Sequence, residues 1–134
     1  MKFLYSLLIT LFVFSCGTTS DNSKDDLKTL KEEVMIVHDE VMPKMGALMK
    51  AKKQLLLKIE SETDSIKRIK YLEVSEQIES ANASMMDWMH NYEPNFEGND
   101  EALKEYLNGK KVSIEKVKTD MLAALLAGEQ SLSE

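Results

Sequence analysis

Apolar residues recur at three- and four-residue steps along most of the chain, a spacing that predicts amphipathic helices. The first stripe covers residues 27–60 and consists of Leu27, Leu30, Val34, Val37, Val41, Leu48, Leu55 and Ile59. Four methionines, Met35, Met42, Met45 and Met49, widen it to nearly half of the helical wheel. That width suits a helix covered by two neighbours. Pro43 lies inside the pattern and predicts a kink, because proline lacks the N–H that the helix needs. We expect Ser23 to cap the start, since Asp26 follows at capping-box spacing.

Two further stripes predict helices over residues 66–92 and 100–130. The second stripe consists of Tyr71, Val74, Ile78, Ala81, Met85, Trp88 and Tyr92. Ile66, Ile69 and Leu72 are out of phase with it, so either these turns face another helix or the turn predicted at residues 61–65 ends later. Pro94 and Gly98 end the second helix. The third stripe consists of Leu103, Tyr106, Leu107, Ile114, Val117, Met121, Ala124, Leu125 and Leu132.

Short connections between helices of similar length imply antiparallel neighbours. We therefore predict an all-α fold, an elongated antiparallel three-helix bundle with coiled-coil-like packing over residues 27–134. Met85, Trp88 and Met89 are expected in its core seam.

The first residues predict a targeting segment rather than part of the fold. Lys2 is followed by an uncharged apolar run over residues 3–14, which is shorter than the roughly 20 residues that a membrane-spanning helix needs. We interpret residues 1–15 as a signal peptide. The sequence Val13-Phe14-Ser15-Cys16-Gly17 resembles a bacterial lipobox, in which the cysteine is acylated; the alternative is an ordinary secretory signal with an incidental cysteine.

Lipidation of Cys16 would anchor the protein in the cell envelope, with an outer-membrane anchor facing the periplasm or the cell surface as the expected location. Residues 16–26 are small, polar and acidic. They predict a flexible tether between the lipid and the bundle.

Composition excludes several classes of protein. A single cysteine rules out an internal disulfide framework and a cysteine-rich zinc site. Lys and Arg total 17 against 23 Asp and Glu, a formal charge of −6, which argues against nucleic-acid binding. The sequence contains no nucleophile with triad-like context and no glycine-rich phosphate loop. We predict that the protein is not an enzyme.

Methionine and histidine are concentrated in two short stretches. The first contains Met35, His38, Met42, Met45 and Met49, and the second contains Met85, Met86, Met89 and His90. A hairpin turn near residue 63 brings both stretches to one level, beside the predicted kink. A second turn centred near residue 96 is expected to bring Leu103 and Tyr106 to that level.

Three interpretations of this layer remain open. Methionine fills irregular gaps in a core, and it also forms binding surfaces that adapt to a partner. Thioether sulfur and imidazole are also ligands for Cu(I) or a similar soft metal. The candidate ligands for that site are His38, Met42, Met45, Met86 and His90.

Three segments resemble a family of small bacterial lipoproteins labelled "viral A-type inclusion protein". They are VMIVHDEVMPKMG at residues 34–46, MMDWMH at 85–90 and IEKVK at 114–118. The resemblance implies a helical cell-envelope lipoprotein and supplies no catalytic residue. If the family uses the HDEVMPKM stretch, the positions concerned are His38, Met42 and Met45.

These observations predict a lipid-anchored helical protein that acts as a non-catalytic interaction or scaffold module. Its expected partners are the membrane, through the lipid, and an envelope protein or a second copy of the chain. The alternative is a lipoprotein that binds a soft metal of the Cu(I) type through its methionine and histidine side chains.

Overall fold

A computed structural model describes residues 19–134; the predicted signal peptide and Cys16 lie outside the described residues. This part of the chain contains helices and no strand. Its elements are α1 (Thr19–Val41), a short 3₁₀ turn (Met42–Lys44), α2 (Met45–Ser61), α3 (Ser65–His90) and α4 (Asp100–Ser133). The first three elements form one continuous arm, here called the first arm, and α3 and α4 are the second and third arms. The predicted all-α bundle is confirmed, because these three arms pack against one another.

The break in the first arm falls at Pro43, as predicted. Pro43 occupies the middle of the 3₁₀ turn, and α2 resumes at Met45. Because proline cannot donate a backbone hydrogen bond, the α-helical ladder is interrupted there.

The helix start was predicted too late. α1 begins at Thr19, so residues 19–26 of the expected tether are helical. Ser23 therefore lies inside the helix and is not its N-cap. Its hydroxyl instead donates a hydrogen bond of 3.1 Å to Asp100 Oδ2 at the start of α4, which ties the beginnings of the two helices together.

The first arm and α4 run parallel, as an up-down-up bundle requires. Lys118 Nζ lies 2.6 Å from Glu40 Oε2. Further along, a Cβ added at Gly128 would lie only 3.3 Å from the Cβ of Ala51. These pairs keep the register set by Ser23 and Asp100, so the two helices stay side by side along their length.

One core runs through all three arms. Residues with less than one percent of their surface exposed occur on each arm and are Val34, Val41, Leu48, Leu55, Ile78, Met85, Ile114, Met121 and Ala124. They recur at the spacing of the apolar stripes, so burial of these stripes accounts for the packing. None of the helices within residues 19–134 has an apolar stretch long enough to cross a membrane.

The turn between α2 and α3 is short and well capped. The Asp64 carboxylate accepts hydrogen bonds from the backbone N–H groups of Ile66 and Lys67, at 2.8 and 3.3 Å. α3 therefore starts at Ser65, so the out-of-phase residues do not belong to the turn, and they are not buried against another helix. Ile66, Ile69 and Leu72 are instead exposed to solvent by 78%, 56% and 43%.

The connection between α3 and α4 is longer, and it shifts their pairing from the predicted one. α3 ends at His90 and α4 starts at Asp100, capped by Asn99. The indole N–H of Trp88 donates to Ser113 Oγ at 3.0 Å, so the level of Trp88 meets Ser113 rather than Leu103 and Tyr106. The first turns of α4 lie beyond the end of α3.

Candidate functional site

The candidate site lies between the first arm and α3, whose antiparallel register is fixed by two contacts. The imidazole of His38 stacks on the indole of Trp88, and Lys52 Nζ lies 2.7 Å from Glu79 Oε2. The two Met/His stretches therefore lie close to the same level of the bundle, as the hairpin geometry predicts.

Five apolar side chains line the outer side of this helix pair. Met42, Met49 and Leu56 follow one another at seven-residue intervals on the first arm. Leu72 and Met86 lie on α3, seven residues before and seven residues after Glu79. Residues seven apart share a helix face. Met49 and Leu56 flank Lys52, which reaches Glu79, so both rows lie on the same side of the helix pair. We call these five residues the outer groove.

The outer groove is open to solvent along its length. Each of its five side chains has between 43% and 52% of its surface exposed. All five residues are therefore exposed, and none belongs to the core. Their seven-residue spacing is that of the heptad positions of a coiled coil.

The predicted metal ligands fall into two groups. Met42 and Met86 belong to the outer groove, and His90 is exposed at the end of α3, one turn after Met86. Met45 instead packs against the core. His38 is 15% exposed through its side chain, and its Nδ1 lies 2.8 Å from Asp39 Oδ1.

The five candidate ligands are therefore divided between the two sides of the helix pair. The His38 imidazole stacks on the buried Trp88, and residues two apart on a helix point about 200° from each other. His38 thus contacts the side of α3 opposite to the exposed Met86 and His90.

The residues predicted for the core seam lie in the core. Met85 is fully buried, Trp88 is 6% exposed, and Met89 is partly buried against the same cluster. The methionines of this layer therefore divide into two groups. Met85 and Met89 pack in the core, whereas Met42 and Met86 are exposed to solvent.

Sequence reasoning missed an aromatic ladder that starts at Trp88. Its ring centroids are separated by 5.0 Å from Trp88 to Tyr92, 6.3 Å from Tyr92 to Tyr106, and 4.4 Å from Tyr106 to Phe96. With His38 stacked on Trp88, five rings connect the first arm, α3, the loop and α4. The four-residue spacing of Trp88 and Tyr92 is the one sequence signal that indicates part of it.

The two tyrosines of the ladder differ in their hydroxyl groups. The Tyr106 hydroxyl accepts a hydrogen bond of 2.6 Å from the backbone N–H of Glu93. The Tyr92 hydroxyl is shielded from solvent and has no hydrogen-bond partner within residues 19–134. Its burial, together with the nearby Tyr106, raises the pKa of Tyr92 above its usual value of 10.0.

Within the described part of the chain, no group of three or more His, Cys, Asp or Glu side chains is placed to hold a metal ion. Comparison of the chain with protein-family models, with curated proteins and with solved structures gives no significant match.

Proposed function

We propose that the protein is a lipid-anchored, non-catalytic module of the cell envelope that binds a partner helix in the outer groove. The observation that carries this proposal is the half-exposed, heptad-spaced apolar lining of that groove. In a bundle that needs no partner, flanking heptad positions are usually charged. Here Met42, Met49 and Met86 occupy them, and methionine adapts to the shape of a bound side chain.

The spacing of the groove indicates the chemistry of the partner. Two rows of apolar residues at seven-residue intervals accept the knobs of a further amphipathic helix, with anchors at heptad spacing. Such a helix completes a four-helix seam. It would bury the apolar surface that the outer groove leaves open, at about 25 cal/mol per Å².

A photo-reactive amino acid placed at Met49 in living cells tests this proposal. The matched control is Val112, an apolar residue of α4 that is 69% exposed and lies outside the outer groove. We expect one defined adduct from position 49, none from position 112, and attachment of the partner through an apolar helix face. Leu72→Glu in the same chain should abolish the adduct, because it introduces a charge into the groove.

Three outcomes would contradict the partner-helix proposal. They are equal labelling from positions 49 and 112, an adduct that survives Leu72→Glu, and no adduct at all. An adduct between two copies of this chain would show that the partner helix is supplied by self-association.

The lipid anchor is tested separately. Cys16→Ala should release the protein from the membrane fraction and prevent labelling with a clickable fatty acid, because the acylated thiol is lost. Retention of the label in this variant would exclude Cys16 as the lipidation site. Neither result alters the test of the groove.

A further inference from the structure

We propose that a cavity at the end of the bundle where α1 and α4 begin binds the acyl chain of a free fatty acid, with the carboxylate at the cavity mouth. The cavity has a volume of about 260 Å³ and lies between α1, α4 and the loop that joins α3 to α4. Its apolar lining consists of Leu27, Tyr92, Pro94, Phe96, Leu103 and Leu107. This site is separate from the outer groove and does not depend on a lipid at Cys16.

The cavity exists because the third helix stops short of this level. α3 ends at His90, and the first turns of α4 lie beyond that end. Here α1 and α4 pair through Ser23 and Asp100 without α3 beside them. The ring side chains of Tyr92 and Phe96 cover part of the apolar surface that α3 covers elsewhere. The cavity is the part that they leave open.

The loop that forms one wall of the cavity is held from both helices. Lys31 Nζ on α1 donates a hydrogen bond of 2.8 Å to the carbonyl oxygen of Pro94. The backbone N–H of Glu93 donates to the Tyr106 hydroxyl on α4, and Phe96 stacks on the same ring. The cavity is therefore preformed, as most small-molecule sites are.

Size and lining select a single slender chain. The volume of about 260 Å³ lies below the roughly 300–1,000 Å³ of pockets that hold drug-sized molecules. The Tyr92 hydroxyl is shielded from solvent, so this residue presents its ring to a ligand. An acyl chain suits such a lining, because it brings no polar group that would be left unpaired there.

Two lysines select an acidic head group. Lys28 and Lys31 both line the cavity, and they are three residues apart on α1, a spacing that places them on one helix face. Glu93 is the one acidic residue that lines the cavity within residues 19–134. The lining therefore carries one net positive charge, which complements a carboxylate.

Both lysines have donors to spare for that carboxylate. Lys31 uses one N–H on the Pro94 carbonyl, and an ammonium group has three. Lys28 Nζ lies 3.9 Å from Glu32 Oε1, in a pair whose side chains are 77% and 63% exposed. Exposed pairs of this kind contribute little, so Lys28 can turn toward a bound head group.

The test is photo-labelling of the full-length chain in phosphatidylcholine vesicles with palmitate that carries a diazirine on its chain. We expect one saturable adduct on residues that line the cavity. Oleate should suppress this adduct, whereas methyl oleate, which has the same chain without the acid, should not. Leu103→Asn should lower the apparent affinity by about 10-fold or more, because an amide without a partner is costly in an apolar cavity.

Each variant has a matched control. Leu125 is also a partly buried leucine of α4, but it packs against the core away from the cavity, so Leu125→Asn should be labelled as the parent is. Lys28→Glu should weaken labelling because it reverses a charge at the cavity mouth. Lys24→Glu should not, since Lys24 lies one turn earlier, is exposed and does not line the cavity.

The fluorescence of Trp88 gives an independent readout. Trp88 is the chain's one tryptophan, and its ring centroid lies 5.0 Å from that of Tyr92, which lines the cavity. A dibrominated stearate should therefore quench its emission in the parent and in Leu125→Asn, but not in Leu103→Asn. Unbrominated stearate should leave the emission unquenched.

The proposal is overturned if methyl oleate competes as well as oleate does, if the adduct maps outside the cavity, or if Leu103→Asn is labelled as the parent is. Equal losses in Leu103→Asn and Leu125→Asn would overturn it as well. Labelling of Cys16→Ala without labelling of the parent would show that the protein's own lipid fills the cavity, which excludes a free fatty acid as its ligand.

Discussion

The imidazole of His38 lies over the indole of Trp88, with ring centroids 5.5 Å apart and planes inclined by 25°. The same indole donates its N–H to Ser113 on α4. Trp88 therefore contacts the first arm through its face and α4 through its edge, while its backbone belongs to α3. All three arms meet at this side chain.

Removal of the imidazole should weaken this junction. His38→Ala loses a stacked ring pair worth about 0.5–1.5 kcal/mol beyond its buried area, and water should gain access to Trp88. We expect a lower free energy of unfolding and a red-shifted Trp88 emission, both measured in a urea titration. His90→Ala serves as the control, since surface substitutions usually change stability by less than about 0.5 kcal/mol. An equal loss in both variants would show that the stack does not stabilise the fold.

The two tyrosines of the aromatic ladder should respond in opposite ways to loss of their hydroxyl groups. Tyr106→Phe removes the acceptor for the Glu93 N–H and should lower the free energy of unfolding by about 1 kcal/mol. Tyr92→Phe removes a shielded hydroxyl without a partner in residues 19–134 and should be neutral or stabilising. Thermal unfolding at neutral pH measures both, and equal destabilisation would contradict the difference in hydrogen bonding.

Tyr92 should also make the fold sensitive to alkali. Its pKa in the folded protein lies above the usual 10.0, chiefly because of burial. The folded state therefore holds the phenolic proton more tightly than the unfolded state does. The stability associated with this group is fully present below pH 10 and falls as the pH rises through the raised pKa. Tyr92→Phe should flatten this part of the stability profile, and an unchanged profile would assign the alkaline loss to other groups.

Gly128 and Gly109 should respond differently to alanine. A Cβ at Gly128 would lie 3.1 Å from Ile78 Cδ1 and 3.3 Å from Ala51 Cβ, whereas a Cβ at Gly109 meets nothing within 4 Å. Gly109→Ala should stabilise the protein by up to about 1 kcal/mol through helix propensity. Gly128→Ala gains the same propensity but forces three helices apart, at a typical cost of about 1–3 kcal/mol. Melting temperatures should therefore move in opposite directions, and a rise in both would mean that the core yields freely at Gly128.

The Asp64 cap should fix the start of α3. Asp64→Ala removes an acceptor for two backbone N–H groups and should cost about 1 kcal/mol. Asp64→Asn keeps a capping oxygen and should cost less. Hydrogen exchange at Ile66 and Lys67 checks the site of the effect, since only these amides lose their partner. Unchanged exchange there would exclude the capping role.

Periodicity predicted the three arms because each helix buries its apolar stripe against the other two. It also predicted the break at Pro43, where the chemistry of one residue decides the outcome, and the shared level of the two Met/His stretches. It missed the helical residues 19–26, which contain no apolar side chain. Hydrophobic periodicity depends on apolar residues, so an entirely polar helical segment leaves no such signal.

Two other errors have related physical causes. Ile66, Ile69 and Leu72 are apolar and exposed. Their phase already separated them from the buried stripe, but both interpretations assumed that apolar residues must be covered. The pairing of α3 with α4 was predicted from the midpoint of their connection. Phe96 stacks on Tyr106, so the loop folds back along α4, and the midpoint no longer sets the register.

The parallel course of the first arm and α4 has a mechanical consequence. A tensile force between Thr19 and Ser133 acts along the long axis and slides these two helices past each other. The ion pair of Lys118 with Glu40 and the close fit of Gly128 against Ala51 then carry the load together. A bundle loaded in this shear geometry resists extension more strongly than one whose helices are peeled apart one contact at a time.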